Sequence, residues 1–141
     1  MHPHGQMEKH ALRLVFWELT ARCNLKCRHC RAEAQDDFVA GELTTEEIRR
    51  AADGIRDAGD PIIVLTGGEP LARPDFFSIA EHCVTRFTRV AMATNGTMID
   101  DALARRIVDA GIQRVSISLD GAAPATHDAF RGVPGSFDAA L

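Results

Sequence analysis

The 141-residue sequence predicts an α/β fold, in which parallel strands alternate with helices packed on the outside of the sheet. Apolar segments with strand character alternate three times with segments of helical periodicity. One apolar segment, 62–65, carries apolar side chains at every position, which is typical of a strand buried on both faces of a parallel sheet. The predicted strands are far enough apart in the chain for right-handed helical crossovers to connect them.

The first strand and the first helix are indicated by local signals. Residues 12–20 are rich in Leu, Val, Phe and Trp, which favours a strand. Thr44 is predicted to open a helix, because Glu47 three residues later completes a capping box. Apolar residues then repeat at helical spacing, and Gly59 is predicted to end the helix.

The same alternation continues along the rest of the chain. Pro74 suits the first turn of a second helix, whose apolar face includes Cys83. Asp100 is predicted to cap a third helix that ends near Gly111. The remaining strands are predicted at 62–65, 89–94 and 113–119.

Residues 12–141 are predicted to form one domain with four strands and three helices, and residues 1–11 a flexible arm whose histidines have no assigned role. Residues 135–141 resemble the beginning of a fourth helix. Four strands cannot close a barrel, and an exposed sheet edge favours aggregation. We therefore expect the domain to be incomplete and the chain to be the N-terminal part of a longer protein.

Composition excludes several classes of protein. Hydrophobic residues make up 45% of the chain and charged residues 26%, which is typical of a soluble globular protein rather than a disordered or collagen-like one. No apolar run is long enough for a transmembrane helix, and the first residues lack the apolar stretch of a signal peptide. A cytoplasmic location without membrane partners is therefore expected. The net charge of -4 and the absence of a basic patch argue against nucleic-acid binding.

Each predicted strand is followed by an unusual motif. Because the carboxyl ends of parallel strands share one edge of a sheet, these motifs are expected to lie close together. Their convergence is stronger evidence for a functional site than any single motif. The motifs are a cysteine-containing loop, Gly67-Gly68-Glu69-Pro70, Asn95-Gly96-Thr97 and Asp120-Gly121.

Three cysteines with the spacing C-x3-C-x2-C, Cys23, Cys27 and Cys30, indicate a metal site. Thiolates suit iron–sulfur clusters or zinc. Three thiolates would leave one iron of a [4Fe–4S] cluster open to another ligand. One alternative is a structural zinc site, with His29 or Cys83 as the local candidates for a fourth ligand. In a non-enzymatic module, zinc or an iron–sulfur cluster would only stabilise the fold.

The turn after the second strand and the fourth strand carry further candidate residues. Gly67 and Gly68 would let the backbone approach a ligand, and Glu69 could accept hydrogen bonds from an ammonium group. A plain strand-to-helix turn with a solvated glutamate is the alternative. In the fourth strand, the apolar side chains are expected to pack on helices and the polar ones to point into a ligand-filled interior, unless it is an edge strand facing solvent. The apolar set is Val115, Ile117 and Leu119, and the polar set is Ser116, Ser118 and Asp120.

Taken together, these motifs resemble those of the radical S-adenosylmethionine (SAM) enzymes, over nearly the whole chain after residue 12. The resemblance is carried, in chain order, by the three cysteines, Gly67-Gly68-Glu69-Pro70, Thr94-Asn95-Gly96 and Ser118-Leu119-Asp120-Gly121. It implies the N-terminal part of a partial (β/α)6 TIM-like barrel. One departure is His29, where the family usually has an aromatic residue before the third cysteine.

The resemblance also implies roles for individual residues. The three cysteines would bind a [4Fe–4S] cluster whose open iron chelates SAM. The turn from Gly67 to Pro70 would bind the amino group of SAM, with Glu69 as its acceptor. Ser118 and Arg131 would bind the methionine carboxylate or the ribose, with Asn95 close by. Reductive cleavage of SAM would then give a 5′-deoxyadenosyl radical, while no residue is assigned as a general acid or base.

Further segments are similar to the branch of the family that carries a C-terminal auxiliary-cluster (SPASM-type) domain. Within this branch, residues 30–34, 61–66 and 130–135 are most similar to the alternative-pathway haem b synthases. This similarity implies a tetrapyrrole substrate, iron-coproporphyrin III, whose propionates are decarboxylated to vinyl groups in porphyrin biosynthesis. It also implies a reductant such as flavodoxin or ferredoxin. Peptide-modifying maturases and sirohaem decarboxylases share much of the pattern and remain alternatives.

Overall fold

Four parallel strands form one sheet in chain order in the computed structural model, which describes residues 11–31 and 33–141. Almost all of the predicted N-terminal arm, including its histidines, lies outside these residues. Each strand pairs in parallel with the next one along the chain, as the α/β prediction requires. The strands are β1 (Leu14–Glu18), β2 (Ile62–Thr66), β3 (Val90–Thr94) and β4 (Arg114–Ile117).

The helices include one that the sequence pattern did not predict, α4. It begins with Pro124 and lacks a long apolar stripe, so its periodicity is too weak to identify it. A short 3₁₀ helix, Pro70–Ala72, also precedes the second helix. The helices are α1 (Thr45–Ala58), α2 (Phe76–Arg86), α3 (Asp101–Asp109), α4 (Pro124–Arg131) and α5 (Ser136–Ala140).

The predicted caps of α1 and α3 are confirmed. Thr44 and Glu47 make the reciprocal hydrogen bonds of a capping box at the start of α1, and Gly59 follows its last turn. Asp100 accepts a hydrogen bond from the backbone N–H of Leu103 at the start of α3. These local signals therefore set the positions of two helices that pack on the sheet.

The hydrophobic core lies between the helices and one face of the sheet. Alternate residues of β2 and β3 are buried against α1 and α2. The other residues of β2 are only half-buried, so the expectation of burial on both faces is met on one face only. No helix among the described residues is long and apolar enough to cross a membrane.

The fourth strand departs from its predicted packing. Its register with β3 places Ser116 opposite Ala93, on the face away from the helical core, as predicted. However, Val115 and Ile117 on the other face remain 39% and 43% exposed, because β4 is the edge strand and the described helices do not cover it. The prediction that these apolar side chains are packed on helices is therefore wrong for the described residues, and the edge-strand alternative describes β4 better.

The connection between α4 and α5 depends on Asp128. Its carboxylate accepts hydrogen bonds from the backbone N–H groups of Gly135 and Phe137 and from the Ser136 hydroxyl. The two backbone hydrogen bonds are the main reason that the pKa of Asp128 lies below its usual value. The ionised carboxylate therefore stabilises the folded chain above its unfolded pKa, and this contribution disappears as the pH falls through the folded pKa.

We expect Asp128→Ala to lower the melting temperature at neutral pH and to have a smaller effect in acid. The measurement is the melting temperature of both proteins between about pH 7 and pH 2. Asp138→Ala is the matched control, because Asp138 is an exposed aspartate on α5. A loss of stability that is equal at all pH values would contradict the proposed role of the carboxylate.

Candidate cofactor site

The motifs that follow the four strands meet at one cavity at the carboxyl edge of the sheet. The cavity has a volume of about 360 Å³. Its lining includes Cys23, Cys27, Cys30, Gly67, Gly68, Thr94, Asn95, Ser118 and Arg131. The topology of the sheet therefore brings these predicted site residues together, whereas Glu69 and Pro70 are buried behind the lining.

The cysteine loop, residues 19–43, begins by running alongside the turn after β2. The backbone N–H of Gly68 donates to the Thr20 carbonyl over 2.7 Å, and that of Glu69 donates to the Arg22 carbonyl over 2.8 Å. These hydrogen bonds place Cys23 next to the turn. The backbone N–H of Cys23 donates to the Gln35 carbonyl over 3.0 Å. A later part of the loop is therefore held beside Cys23 as well.

The two glycines of the turn let the backbone of the cysteine loop pass close beside them. A Cβ atom on Gly67 would lie 2.5 Å from the Thr20 carbonyl oxygen, and one on Gly68 would lie 2.4 Å from that of Arg22. The approach of the backbone of this turn to a ligand stays a prediction. Both residues still line the cavity through their backbone.

Gly68→Ala should displace the first residues of the cysteine loop, because its new methyl group would collide with backbone atoms that cannot rotate away. We expect a loss of about 2 kcal/mol or more in the free energy of unfolding, measured by urea denaturation. Gly54→Ala is the control, since a Cβ atom on Gly54 meets no atom within 4 Å. Equal effects of the two substitutions would contradict this account of the turn.

The last turn of α4 holds the segment between the first and third cysteines. The backbone N–H groups of Lys26 and Arg28 donate to the carbonyls of Arg131 and Phe130, over 3.0 and 2.9 Å. The ring of His29 stacks on that of Phe130, with the ring centroids 4.4 Å apart. The helix that sequence reasoning missed therefore supports the loop that carries the cysteines.

Each of the three thiols accepts a hydrogen bond. The Sγ atom of Cys23 accepts from the backbone N–H of Leu25 and, over 3.8 Å, from Asn95 Nδ2. Cys27 Sγ accepts from Arg131 Nη1 over 3.6 Å. Cys30 Sγ accepts from the backbone N–H of Ala34. Hydrogen bonds to ligand sulfurs orient them and tune the iron they hold.

The electrostatic surroundings of Cys23 oppose its ionisation. Burial is the main reason that the pKa of this thiol is raised, and the nearby Glu69 and Cys27 add to the effect. The thiol must lose its proton to bind a metal. Binding is therefore expected to release a proton at this position and to weaken in acid.

The remaining predicted residues form two polar groups around the thiols. The Asn95 side chain donates to Asn24 Oδ1 and accepts from the Thr97 hydroxyl. Arg131 is 8% exposed and pairs with Asp120 over 2.6 Å, while its Nε atom has no hydrogen-bond partner. Ser118 is exposed at the mouth of the cavity. Arg131 thus joins Cys27 to Asp120 beside the cavity.

Comparison with known proteins identifies the family. The profile of the Radical SAM superfamily matches residues 17–141. The chain belongs to this superfamily. This membership confirms the resemblance seen in the sequence. Members of the superfamily use a [4Fe–4S] cluster and SAM.

This radical SAM chain is similar to curated proteins with assigned names. It is 49% identical over 131 residues to the AdoMet-dependent heme synthase of Methanosarcina barkeri, covering 93% of this chain and 38% of the relative. It is 42% identical over 136 residues to the Fe-coproporphyrin III synthase of the same organism, covering 96% of this chain and 34% of the relative. The chain thus spans little more than a third of the length of either relative.

A solved structure supports the fold. The structure of native anSMEcpe with bound AdoMet matches with a TM-score of 0.69 and 24% identity, over 92% of this chain and 38% of that chain. At this identity the match concerns the fold alone. It agrees with the prediction of an α/β fold that forms part of a TIM-like barrel.

The structure gives the surroundings of Glu69 in this radical SAM domain. The side chain is fully buried and is not part of the cavity lining. Its Oε1 atom accepts from the Thr94 hydroxyl and the Leu71 N–H, and its Oε2 atom accepts from the Asn95 N–H over 2.8 Å. The carboxylate is therefore hydrogen-bonded within the protein and positions Asn95, and its binding of the amino group of SAM stays a prediction.

Of the two local candidates for a fourth zinc ligand, His29 lines the cavity and Cys83 does not. Cys83 lies in the core of the radical SAM domain, where burial raises the pKa of its thiol to about 12, and it does not line the cavity. No three Cys, His, Asp or Glu side chains in the described parts of the chain surround a point that would hold one metal ion. In a [4Fe–4S] cluster each thiolate binds a different iron, so its three ligands surround a larger volume.

Sequence reasoning missed two residues that shape the radical SAM site. Arg73 and Glu42 are both engaged with the ends of the cysteine loop. The one available signal for Arg73 was a basic residue inside a turn between two prolines, Pro70 and Pro74. Glu42 gave no signal, because its partners are distant in the sequence.

Proposed function

We propose that this chain binds a [4Fe–4S] cluster through Cys23, Cys27 and Cys30 and binds SAM beside it. The observation that carries the proposal is the single cavity lined by the three cysteines together with residues that follow the other strands. We further propose that the enzyme decarboxylates the propionates of iron-coproporphyrin III in haem b biosynthesis. The names of the two relatives described above support this substrate class.

The residues of the cavity have separate tasks in this proposal. The three thiolates bind iron and leave one iron of the cluster for SAM. Arg131 and Ser118 bind the carboxylate or ribose of SAM, because both line the same cavity as the three cysteines and Arg131 is cationic. The backbone of Gly67 and Gly68 closes the cavity beside them. When bound and reduced, the cluster supplies the electron that cleaves SAM to a 5′-deoxyadenosyl radical.

The partners in this proposal follow from the chemistry. Reduction of the cluster needs a one-electron donor, for which we propose flavodoxin or ferredoxin. A cytoplasmic location agrees with this, because that compartment keeps thiols reduced and available for iron. The proposal includes neither a nucleic acid nor a membrane as a partner.

The cofactor proposal is tested by anaerobic reconstitution with iron and sulfide, followed by electron paramagnetic resonance of the reduced protein. We expect a [4Fe–4S] signal that changes when SAM is added, because SAM binds the open iron. A protein that takes up zinc but forms no cluster would contradict the proposal.

The substrate proposal needs a separate measurement. The reconstituted full-length protein is incubated anaerobically with a reductant, SAM and iron-coproporphyrin III, and the porphyrin is analysed by mass spectrometry. We expect loss of carbon dioxide from the propionates together with formation of 5′-deoxyadenosine. An unchanged porphyrin, with SAM cleaved in the presence of a peptide instead, would favour the peptide-modifying alternative.

A further inference from the structure

Arg73 is a buried cation that touches neither the cavity nor the cysteines. Its side chain is 6% exposed, and it follows the short 3₁₀ helix Pro70–Ala72. Burying a charged group is costly unless it is paired and hydrogen-bonded. Its partners therefore show what the charge does in the structure.

The guanidinium of Arg73 joins the two ends of the cysteine loop. Its Nη1 atom donates to the Leu19 carbonyl and its Nη2 atom donates to the Leu43 carbonyl, each over 2.7 Å. Leu19 is the first residue of the loop and Leu43 is the last. One side chain thus binds both ends through main-chain oxygens.

Two carboxylates complete this arrangement. Asp75 accepts from Arg73 Nε over 2.7 Å and from Nη2 over 3.1 Å, which orients the guanidinium. Glu42, at the end of the loop, accepts from the backbone N–H of Ala21 and from the Thr20 hydroxyl at its beginning. Glu42 Oε2 also lies 3.9 Å from Arg73 Nη1. We refer to Arg73, Asp75 and Glu42 as the loop clamp.

The loop clamp acts at the point where the position of Cys23 is set. Thr20, held by Glu42, accepts a hydrogen bond from the backbone N–H of Arg22 through its hydroxyl. The backbone carbonyl of Arg22 in turn accepts a hydrogen bond from the Glu69 N–H, next to the cavity. Release of the loop ends would therefore loosen the segment that carries the first cysteine, while the hydrophobic core keeps its own contacts.

We propose that Arg73 is a positioning residue for the cluster: by closing the cysteine loop, the loop clamp holds the thiols in place before iron binds. This inference rests on the proposed cluster. Lysine cannot replace Arg73, because a single ammonium lacks the planar fork that reaches two carbonyls and a carboxylate together. Loss of the loop clamp is expected to let the loop open locally without unfolding the domain.

Two buried thiols in the same molecule make the test possible. Cys23 is 9% exposed on the loop, and Cys83 is 0% exposed in the core. Alkylation of each thiol is followed by mass spectrometry in the iron-free full chain under native conditions. In Arg73→Lys we expect Cys23 to react about tenfold faster than in the wild type, with Cys83 unchanged, because a charged hydrogen bond is lost.

Further variants keep the test decisive. Arg56→Lys is the matched control, since Arg56 pairs with Asp60 away from the loop, and it should leave both rates unchanged. Glu42→Ala should raise the alkylation rate of Cys23 in the same way as Arg73→Lys. After reconstitution, both loop-clamp variants should contain less iron and give a weaker SAM-dependent spectroscopic change than the control.

The outcomes separate the two proposals. If the alkylation rates of Cys23 and Cys83 rise together, Arg73 supports the whole fold and the inference is wrong. If neither rate changes, the loop clamp does not hold the loop and the inference is also wrong. A wild-type protein that forms no SAM-responsive cluster would instead contradict the proposed function, whereas the alkylation rates would still show whether the loop clamp closes the loop.

Discussion

Cys27→Ala is expected to abolish cluster binding and all cleavage of SAM. The cluster would keep only two protein thiolates, and the hydrogen bond from Arg131 Nη1 would lose its acceptor. The iron content after reconstitution should fall to background, with no [4Fe–4S] signal in the reduced protein. Retained SAM cleavage by this variant would contradict the ligand assignment.

Cys83→Ala provides the matched control for this substitution. Cys83 is completely buried among apolar side chains of the core, so removal of its sulfur leaves a small cavity. We expect a loss of about 1 kcal/mol in the free energy of unfolding. Its iron content and its spectrum should equal those of the wild type, which would separate the role of a ligand from the role of any buried cysteine.

Glu69→Ala should have the largest effect on stability. Its carboxylate is the acceptor for two backbone N–H groups and for the Thr94 hydroxyl, and all of these lie in or near the buried edge of the sheet. We expect a loss of about 3 kcal/mol or more in the free energy of unfolding, because these donors would be left unpaired. Urea denaturation measures the loss, and a change below 1 kcal/mol, on the order of one ordinary hydrogen bond, would contradict it.

Glu69→Gln tests the charge of the same group. Burial raises the pKa of Glu69 above its usual value, although hydrogen bonds from Asn95, Thr94 and Leu71 oppose the shift. The folded chain then binds the proton more tightly than the unfolded chain, so its stability falls as the pH rises from the unfolded pKa through the folded one. The glutamine variant should lack this fall, and parallel stability curves for the two proteins would contradict the shift.

Much of the fold follows from patterns that are local in the sequence. Short apolar runs locate β2 and β3, and the capping box of Thr44 and Glu47 locates the beginning of α1. The meeting of the motifs at one cavity follows from topology, since parallel strands end at the same edge. These features need no knowledge of side-chain contacts.

The contacts within the site could not be predicted in the same way. The hydrogen bonds that Glu69 accepts from Thr94 and Asn95, at the end of the next strand, are fixed only by packing. Arg73 reaches carbonyls that lie 54 and 30 residues away in the chain. Backbone acceptors carry no residue-type signal, so no spacing rule could identify these pairs. For β4, the alternation of apolar and polar residues predicted which side chains share a face of the strand. It could not show whether helices cover the apolar face.

Because α4 follows the cysteines in the chain, its contacts with the cysteine loop form late in synthesis. The cysteines leave the ribosome before α4, whose last turn binds Lys26 and Arg28 of the loop. Roughly a hundred residues separate Cys30 from Arg131, which corresponds to about 5–20 s of synthesis at ordinary rates. During this interval the nascent thiols lack the helix that holds them, so chains stalled before α4 should be more readily oxidised and alkylated than finished ones.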